Sequence, residues 1–532
     1  MLRTLFALIG CALALAGVAA ARPESIAQTD RRQTTATTTS FLVSGRGWGH
    51  GVGMSQYGAL GLANEGRTFA EILAHFYPHT ALSPAPVARV RVLVGEEKGS
   101  VTVSSERPFR VRDVFGKAYP LPAGEVKLGP KLEVVLNGVP TELAGPLVFL
   151  PGAALLEVGT PYRGQIEVAV TGSKLNAVNA VGLEDYLAGV VPREMPASWA
   201  AAALEAQAVA ARSYALAHRV RGKGFDLYAD VRSQVYGGVA SEDARATQAI
   251  AATAGTVLTY EGKIADTLFH STSGGSTVAA EEAFGTAVPY LVGVDDPHSS
   301  LSPVHRWGPV AIQDSVVRRG LKLGAPVLGL RLVRAPSGRV ARAVVTTTAR
   351  AQTVSGSALR SGAGLRSTWV TKLASVSLAR PAGPAVYRRK LSLVARGQGT
   401  KVTVQMRLDG AWKTLGGPTG IFSGNVSLET PTTLRLLSGQ TVAAVVRIPV
   451  APRVAVRRVP AGIAGTVTPP RVGATAQVQR LEGDAWLPAG AAVVDATGAF
   501  LAQLDLVPGS YRIRVAPVAG LAQGLSATIR AG

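Results

Sequence analysis

A single glutamate stands where the sequence best supports general-acid chemistry. Glu194 lies between the apolar run Val190-Val191-Pro192 and the residues Met195-Pro196, and Trp199 follows closely. An apolar environment disfavours a carboxylate and raises its pKa toward the range useful for a proton donor. A helix that starts just after Glu194 would instead favour the charged form through its dipole. The sequence therefore leaves two interpretations open: a general acid, or a glutamate that stabilises a helix N-terminus.

A long helix is predicted from Pro196 to Val220. The stretch is dominated by Ala, Leu, Glu, Gln and Arg, and its first proline suits an initial helical turn. Arg212 lies two turns after Glu205 on the same face. Arg212 could bind an acidic group of a substrate, or it could form an ion pair with a nearby acid, namely Glu184, Asp185 or Glu205. Spacing alone favours the ion pair.

Two glycine-rich segments carry other polar candidates. Residues 44–59 interleave six glycines with Arg46, Trp48 and His50, which disfavours a regular strand or helix. Residues 270–275 place an imidazole and hydroxyls beside Gly-Gly. Such turns let a backbone approach a ligand closely, but they also simply reverse the chain. The sequence lacks a GK[ST] phosphate-loop ending after residue 44 and an HExxH pair among its seven histidines, so no metal or cofactor is predicted.

The elements that must position these residues predict an α+β fold. Residues 87–180 alternate apolar and polar side chains in short runs divided by Gly and Pro, which is typical of a meandering antiparallel sheet. A second helix is predicted over residues 241–253, and strands return between residues 256 and 375. We therefore expect a mostly antiparallel β domain with one long helix over residues 41–380.

From about residue 385 the sequence changes to short strands with many turns. Val404–Trp412 resembles Val478–Trp486, and a Gly-X-Phe sequence follows each of them. Two small β-sandwich modules are predicted, at residues 385–455 and 456–532. They could bind glycans through their tryptophans, or they could only stabilise and extend the protein. A tryptophan in a sandwich is more often part of the core.

The charge balance narrows the class of partner. The 532-residue chain has a net charge of +21 from 55 basic and 34 acidic side chains, and 47% of its residues are hydrophobic. This composition indicates a globular protein of several domains. The positive excess favours an anionic partner such as a wall polymer, although it could also serve solubility alone. Arginines are spread along the chain without a Lys/Arg-rich run, which argues against nucleic acid.

The first residues predict export. Arg3, the apolar stretch Leu5–Val18 and the small residues up to Ala21 have the pattern of a secretory signal peptide over residues 1–21, too short for a stable membrane span. A Thr-rich flexible leader is predicted over residues 22–40. Cys11, the only cysteine, lies inside the signal, and lipoprotein anchoring there is the less favoured alternative. The mature chain would then have no disulfide, no thiolate metal site and no transmembrane span.

Several motifs together resemble the SpoIID/LytB family (stage II sporulation protein D and amidase enhancer). They are Gly45–Ala59, Leu183–Leu187, Glu194–Pro196, Glu205–Tyr214 and His270–Gly275, with shorter matches at Pro289–Leu291, Asp295–Pro297 and Gly338–Val340. The resemblance covers roughly residues 41–375. The family usually has the Gly-Trp-Gly-His-Gly motif near the end of its domain, whereas here it comes first, as in a circular permutation. Such a change can leave a site intact because the termini of a domain often lie close together.

The resemblance implies a lytic transglycosylase that cleaves peptidoglycan glycan strands outside the cytoplasmic membrane. It implies Glu194 as the catalytic glutamate and Arg212 as a functionally important arginine. Ordinary glycosidases need two carboxylates. A lytic transglycosylase can use one, because the muramoyl 6-hydroxyl is the nucleophile and a 1,6-anhydro end results. The alternative is a non-catalytic wall-binding protein that stimulates an N-acetylmuramoyl-L-alanine amidase.

We expect substrate-binding side chains on the glycine-rich segments and near residue 235, and we expect the His50 segment to lie against the cleft that holds Glu194 and His270. The expected set is His50, Ser55, Gln56, Tyr57, Gln234, Tyr236, His270, Ser271 and Ser273. Glu205 departs from the family, which often has lysine at that position, and this puts the substrate charge preference in question. The expected partners are peptidoglycan and a cell-wall amidase.

Overall fold

The computed structural model describes residues 35–517 and 520–532. The predicted signal peptide, Cys11 and residues 22–34 of the predicted leader lie outside this part of the chain. The fold is mixed, with 17% helix and 47% strand. The prediction of a mixed fold in which strands predominate is therefore confirmed.

Helices are short apart from one. In the described residues they are α1 Gln56–Asn64, α2 Phe69–Phe76, α3 Leu183–Ala188, α4 Val191–Glu194, α5 Ala201–Ala217, α6 Ala244–Ala252, α7 Ala280–Phe284, α8 Asp314–Gly320 and α9 Gly356–Ala363, with 3-10 turns at Gly238–Ser241 and Pro297–Leu301. Side chains cap several of them. The Oγ of Ser55 begins α1, and Thr68 forms a reciprocal capping box with Glu71 at the start of α2.

The first hydrophobic core surrounds a seven-stranded sheet and α5. The strand order is Leu227–Tyr228, Arg89–Lys98, Lys174–Gly182, Gln165–Thr171, Leu147–Leu150, Phe109–Arg112 and Ala118–Leu121. Neighbours are antiparallel except for the first pair, which is parallel. Most of α5 is alanine and most of its residues are buried, so its neighbours can approach it closely from several sides.

Smaller sheets complete this part of the chain. A four-stranded sheet has the order Pro161–Tyr162, Leu156–Glu157, Val101–Ser105 and Gly124–Leu128, and a three-stranded sheet has the order Lys263–Ile264, Thr256–Tyr260 and Ala81–Pro84. Two further sheets have two strands each: Glu133–Leu136 pairs with Val139–Glu142, and Met54–Ser55 pairs with Phe269–His270. The last of these is parallel and joins the two glycine-rich segments.

The long helix begins later than predicted. It starts at Ala201 rather than Pro196, and Val191–Glu194 forms a short helix of its own. Met195 has extended backbone angles, φ −134° and ψ 136°. The residue before a proline is pushed out of the helical region, so Pro196 ends α4 instead of beginning α5. Glu194 therefore lies at the end of a short helix, and α5 begins only after its N-cap residue Ala200.

A second core forms around the strand Thr35–Arg46. Its sheet has the order Arg306–Gln313, Thr35–Arg46, Val370–Pro381, Lys390–Gln398 and Ile421–Ser427. Successive side chains of a strand point to opposite faces. Phe41 and Val43 thus pack with α8, α9 and a further antiparallel sheet, whose strands are Val327–Arg334, Val340–Thr347 and Ala351–Ser355. Residues 35–40, predicted as flexible leader, belong to this strand: they pair with residues 376–381, and β-branched threonines suit a strand.

The predicted boundary between residues 380 and 385 falls inside one sheet. Val370–Pro381 pairs along its length with Lys390–Gln398. On the face opposite Phe41, the side chain of Leu42 and those of Val376 and Leu378 belong to the core of the region predicted as the first module. Its outer sheet has the order Ala411–Thr419, Val402–Leu408, Thr432–Ser438 and Thr441–Ile448, and Ala385–Val386 pairs with Val450–Ala451.

The last part of the chain has a core of its own. One sheet has the order Arg453–Val459, Gly462–Thr468 and Ala499–Gln503. The other has the order Ala485–Val493, Thr475–Glu482, Gly509–Val515 and Gly524–Leu525, and Ile529–Ala531 also pairs with Gly509–Val515. The two repeated tryptophans belong to neither core. Trp412 and Trp486 are half-buried, each with a guanidinium 4.3 Å from its ring centroid, that of Arg435 and that of Arg512.

Candidate active site

Glu194 has a partly buried carboxyl group without a partner. Among the described residues, nothing donates a hydrogen bond to its side chain and no cation lies within ion-pair distance. Burial raises the pKa of the Glu194 carboxyl, and the neighbouring charge of Arg193 opposes this only in part. The sequence left open whether the surroundings of Glu194 favour its charged or its neutral form. They favour the neutral acid, because desolvation penalises the carboxylate.

Gln56 holds the backbone at Glu194. Its Nε2 donates to the carbonyl oxygen of Glu194 at 2.9 Å and to Oε1 of Gln207 at 3.3 Å. Gln207 lies on α5 and is completely buried. One side chain from the first glycine-rich segment thus connects the end of α4 to α5. Only its place in the Glu205–Tyr214 motif signalled Gln207, since its contact with Gln56 joins residues far apart in the chain.

Two aromatic rings lie beside the turn that follows Glu194. The rings of Tyr57 and Trp199 meet edge to face with centroids 4.7 Å apart, and both are partly exposed. The amide of Tyr57 donates to the carbonyl of Ser271 at 3.1 Å, which brings the second glycine-rich segment to the same place. Partly exposed rings next to a carboxylic acid are a surface on which a sugar ring can pack.

A layer of buried tyrosines lies behind the glutamate. Burial raises the pKa of Tyr186 and of Tyr214, and the charge of Glu194 adds to both shifts, so both phenols are within electrostatic range of its carboxyl group. The hydroxyl of Tyr186 donates to Oε1 of Gln234 at 3.2 Å. The hydroxyl of Tyr236 donates to Oδ1 of Asn179 at 2.8 Å. Tyr236 therefore supports this layer from within rather than presenting its hydroxyl to a ligand.

The two histidines are in contact and neutral. Nδ1 of His50 accepts the amide of Val52 at 3.1 Å, so Nε2 carries the proton and donates to the carbonyl of Phe269 at 3.0 Å. Burial lowers the pKa of His50 to about 4. The ring centroid of His270 is 5.4 Å away, its Nδ1 donates to the carbonyl of Val52, and burial lowers its pKa as well. Neither ring is therefore a charged imidazolium that could act as a general acid at neutral pH.

The predicted serines differ in their exposure. Ser55 and Ser273 are fully buried, and Oγ of Ser55 accepts the amides of Gly58 and Ser273. Oγ of Ser273 donates to Asp296 at 2.5 Å. These two serines hold the loops together, and Asp296, which the sequence reasoning missed, anchors them. Only its place in the Asp295–Pro297 motif signalled it. Ser271 remains partly exposed.

Arg212 is not in the candidate site. Its side chain has no exposed surface, and its Nε and Nη2 donate to the carboxylate of Glu184 at 3.1 and 2.5 Å. Its Nη1 donates to the carbonyl of Thr256 at 2.8 Å. The ion-pair alternative is therefore confirmed, with Glu184 as the partner, and the functional role that the family resemblance implies for Arg212 stays a prediction. Glu205 is partly exposed on α5 and has no hydrogen bond or ion pair within the described part of the chain.

Three buried polar atoms near this site lack a hydrogen-bond partner within the described chain. Almost every buried polar atom in a protein is hydrogen-bonded, so such atoms indicate where water or a ligand binds. They are Nε2 of Gln207, Nε2 of Gln234 and Nε2 of His270. The described residues contain no group of three or more His, Cys, Asp or Glu that could hold a metal ion. They also contain no helix long and apolar enough to span a membrane.

The family comparison matches the part of the chain that contains Glu194. The SpoIID family model, described as stage II sporulation protein, matches residues 171–260, which include α3 to α6. Stage II sporulation protein D of Bacillus amyloliquefaciens is 32% identical over 228 residues, 39% of this chain and 65% of that protein. The chain thus contains a SpoIID domain and is similar to SpoIID/LytB proteins.

Other SpoIID/LytB relatives cover smaller shares of their own length. An uncharacterized protein of Brachyspira hyodysenteriae is 38% identical over 216 residues, 38% of this chain and 57% of that protein. The amidase enhancer of Bacillus subtilis is 40% identical over 110 residues, 21% of this chain and 15% of that protein. The chain thus spans less than two thirds of the length of these curated relatives. A solved cytokine receptor complex aligns with 29% of this chain and 94% of its own at 16% identity and a TM-score of 0.19, from which nothing follows.

Proposed function

We propose that this SpoIID/LytB protein cleaves peptidoglycan glycan strands as a lytic transglycosylase, with Glu194 as its single acid and base. The observation that carries the proposal is the partly buried, unpartnered carboxyl of Glu194 with its raised pKa. A general acid must hold its proton near the working pH and must be free to pass it on. The raised pKa of Glu194 favours the first condition, and its lack of a partner in the described residues meets the second.

The reaction needs only this carboxyl group. Glu194 donates its proton to the glycosidic oxygen as the bond between that oxygen and the anomeric carbon breaks. The 6-hydroxyl oxygen of the same muramoyl residue then bonds to the anomeric carbon, and its proton returns to the Glu194 carboxylate. The products are a free hydroxyl end and a 1,6-anhydro end, no water is consumed, and the acid is restored.

Nearby carboxylates do not suit the second role that an ordinary glycosidase requires. Glu184 is engaged by Arg212, and it accepts the amide of Gly255 at 3.0 Å as well. Asp185 is half exposed, and the nearest cation, Arg163, is 3.9 Å away. Glu205 remains partly exposed on α5. A one-carboxylate mechanism is therefore the one that the arrangement supports best.

The names of the relatives support a cell-wall-related, sporulation-related role. Two relatives are called stage II sporulation protein D and one is called amidase enhancer. Residues 1–21 have the pattern of a secretory signal, so we expect the protein to act outside the cytoplasmic membrane. Its net charge of +21 would favour contact with an anionic cell wall.

A second function is favoured by the similarity to the amidase enhancer, which is 40% identical over 110 residues. In that case the protein binds the wall and stimulates an N-acetylmuramoyl-L-alanine amidase without cleaving glycan itself. The surface beside Glu194 would then bind a glycan strand without cleaving it.

Product analysis separates the two functions. Purified protein would be incubated with peptidoglycan, both intact and stripped of stem peptides by an amidase, and anhydromuramoyl ends would be measured by mass spectrometry. Anhydro ends that form with the wild type and with Asp185→Asn, but not with Glu194→Gln, would support the transglycosylase. If the wild type forms none but accelerates a purified amidase, the second function is correct.

A further inference from the structure

A cavity of about 100 Å³ lies where the His50 segment, α7 and α9 meet. It is bounded by residues of both the first and the second core, so it exists only when these two parts of the chain pack together. Serines at its edge, Ser355 and Ser357, are exposed, and it therefore opens to solvent. The mechanism proposed for Glu194 does not use it.

Two arginines give the cavity a positive lining. Arg339 is only 3% exposed; its Nη2 donates to the carbonyls of Ser273 and Ser276 at 2.9 and 3.0 Å, and its buried Nε has no partner in the described chain. Arg360 donates from Nε to the carbonyl of Arg366 at 3.2 Å. Burial lowers the pKa of Arg339 to about 10 and also lowers that of Arg360. Both guanidiniums are still charged at neutral pH, and both lack part of their hydration.

The N-terminus of α9 adds to this potential. Ser355 caps the helix by accepting the amide of Ala358 at 3.1 Å, and Ser355, Gly356 and Ser357 all line the cavity. The first amides of a helix have no partner within the helix, and the dipole makes this end positive. Helix N-termini therefore bind anions readily. Arg339 also lines the cavity, and the buried Nε of its guanidinium has no acceptor in the described chain.

The opposing charges are few. Glu282 lines the cavity, but its carboxylate accepts hydrogen bonds from the amide and the hydroxyl of Ser337, and it forms no ion pair with Arg339 or Arg360. His50, which also lines the cavity, is neutral because burial lowers its pKa to about 4. Two guanidiniums against one carboxylate leave an excess of one positive charge. A monoanion balances that excess, whereas a phosphate dianion would reverse it.

We propose that this cavity binds a carboxylate group carried by a sugar. The planar guanidinium fork matches a carboxylate in shape and in hydrogen-bond geometry. A water molecule needs only ~10–15 Å³ of such space, so the cavity admits a carboxylate together with some of its water. The choice of a sugar as carrier rests on the proposed function. Among peptidoglycan sugars, N-acetylmuramic acid carries a carboxylate on its lactyl ether, whereas N-acetylglucosamine has none.

Calorimetric titration of the full-length protein tests this proposal without requiring turnover, because a monosaccharide has no glycosidic bond to break. N-acetylmuramic acid should bind, and N-acetylglucosamine should bind at least tenfold more weakly. Arg360→Gln should weaken N-acetylmuramic acid binding about tenfold or more, as expected for a lost charged hydrogen bond. The matched control is Arg366→Gln, which removes the same charge from the arginine that stacks on Trp48, 5.1 Å from its ring centroid. This control should bind like the wild type.

A second variant guards against a folding defect in Arg360→Gln. Ser357→Glu places a negative charge in the exposed mouth of the cavity, where the α9 dipole would stabilise the helix. It should abolish binding while thermal unfolding stays at or above the wild-type temperature. Unchanged binding in both cavity variants would overturn the proposal. So would equal binding of the two sugars, equal loss in Arg366→Gln, or displacement of N-acetylmuramic acid by equimolar inorganic phosphate.

The outcome is separable from that of the proposed function. Glu194→Gln should keep full affinity for N-acetylmuramic acid, because Glu194 does not line the cavity. If the protein cleaves no glycan, but the preference for N-acetylmuramic acid and its loss in Arg360→Gln are observed, the transglycosylase proposal fails and the carboxylate site stands. If anhydro ends form but the monosaccharide does not bind, the reverse holds.

Discussion

The side-chain amide of Gln56 donates a 2.9 Å hydrogen bond to the backbone carbonyl of Glu194. The two residues are far apart in sequence, and the same amide also donates to Gln207 on α5. The bond therefore fixes the glycine-rich segment, the end of α4 and the long helix relative to one another. It lets the carboxyl group of Glu194 remain unpartnered while its backbone is held in place.

Replacing Gln56 by Leu should impair catalysis more than binding. Leucine keeps the bulk of a side chain that is only 7% exposed but removes both hydrogen bonds. A misplacement of the acid by about 1 Å can cost up to a hundredfold in rate. We expect kcat on glycan strands to fall at least tenfold while KM changes less than threefold. Because Gln56 is a positioning residue, the pH at which activity is lost should stay the same. An equal fall in affinity and kcat would instead indicate direct contact with the substrate.

The pH dependence of activity should follow the raised pKa of Glu194. The general acid must start protonated, so kcat/KM should decline as the pH rises through this pKa, and the midpoint should lie above the ordinary glutamate value of about 4.3. Initial rates of anhydro-end formation across a pH series measure it. A decline centred at or below the ordinary value would contradict the assignment.

The raised pKa of Glu194 should also make the stability of the fold depend on pH. A carboxyl group whose pKa is higher in the folded state contributes stability below its unfolded pKa, and that contribution is lost as the pH rises through the folded value. Glu194→Gln removes this loss, since glutamine stays neutral. We expect the variant to have a higher Tm than the wild type at pH 7 and no advantage at pH 4. Asp185→Asn, which alters a half-exposed carboxylate, is the control and should show no such difference.

The sequence predicted the chemistry of this site better than the contacts that hold its residues in place. The apolar neighbours of Glu194 pointed to an acid, but the direction of its pKa shift depends on burial that only the folded chain provides. Pro196 suggested a helix start, yet the constraint on Met195 makes it a stop. Residues 35–40 looked like a leader because the strands that pair with them lie more than two hundred residues away in the sequence. Apart from its place in the Glu205–Tyr214 motif, Gln207 carried no local signal for a similar reason.

Arg212 should matter for stability rather than for turnover. The Arg212 side chain is fully buried although that of Glu184 is 37% exposed, and truncating a large buried side chain to alanine typically costs about 2–5 kcal/mol. Arg212→Ala would strand the carboxylate of Glu184 and leave the carbonyl of Thr256 unpaired. Chemical denaturation should show a loss of about this size. Arg67→Ala, which breaks an exposed pair between Arg67, just before α2, and Glu71 in the first turn of α2, should cost much less.

A further comparison decides whether Arg212 also contacts substrate. Any folded fraction of Arg212→Ala should retain the wild-type KM, measured at a temperature where the variant remains native. An increase in KM without loss of stability would contradict the buried position of this side chain.

Truncation should reveal that the chain does not divide at residue 385. Removal of residues 385–532 would leave Val370–Pro381 without its partner strand Lys390–Gln398. It would also expose Leu42, Val376 and Leu378, which are now at most 4% exposed. Each such side chain contributes roughly 1.5–3 kcal/mol when buried, and an uncovered apolar edge strand promotes aggregation. We therefore expect this truncation to be aggregated, or to melt at least 10 °C below the full-length protein.

Removal of residues 453–532 is the matched control, because the core that these residues form is separate. It should leave the five-stranded sheet complete, at the cost of Leu521, which packs into the neighbouring core, and of the bond from Ala522 to the carbonyl of Val450. Differential scanning calorimetry and size-exclusion chromatography compare the two truncations directly. A cooperative, monomeric transition at the full-length Tm after removal of residues 385–532 would show that the shared sheet contributes little. An equal fall in Tm in both truncations would instead place the critical contacts in the last module, because residues 453–532 are the ones that both truncations lack.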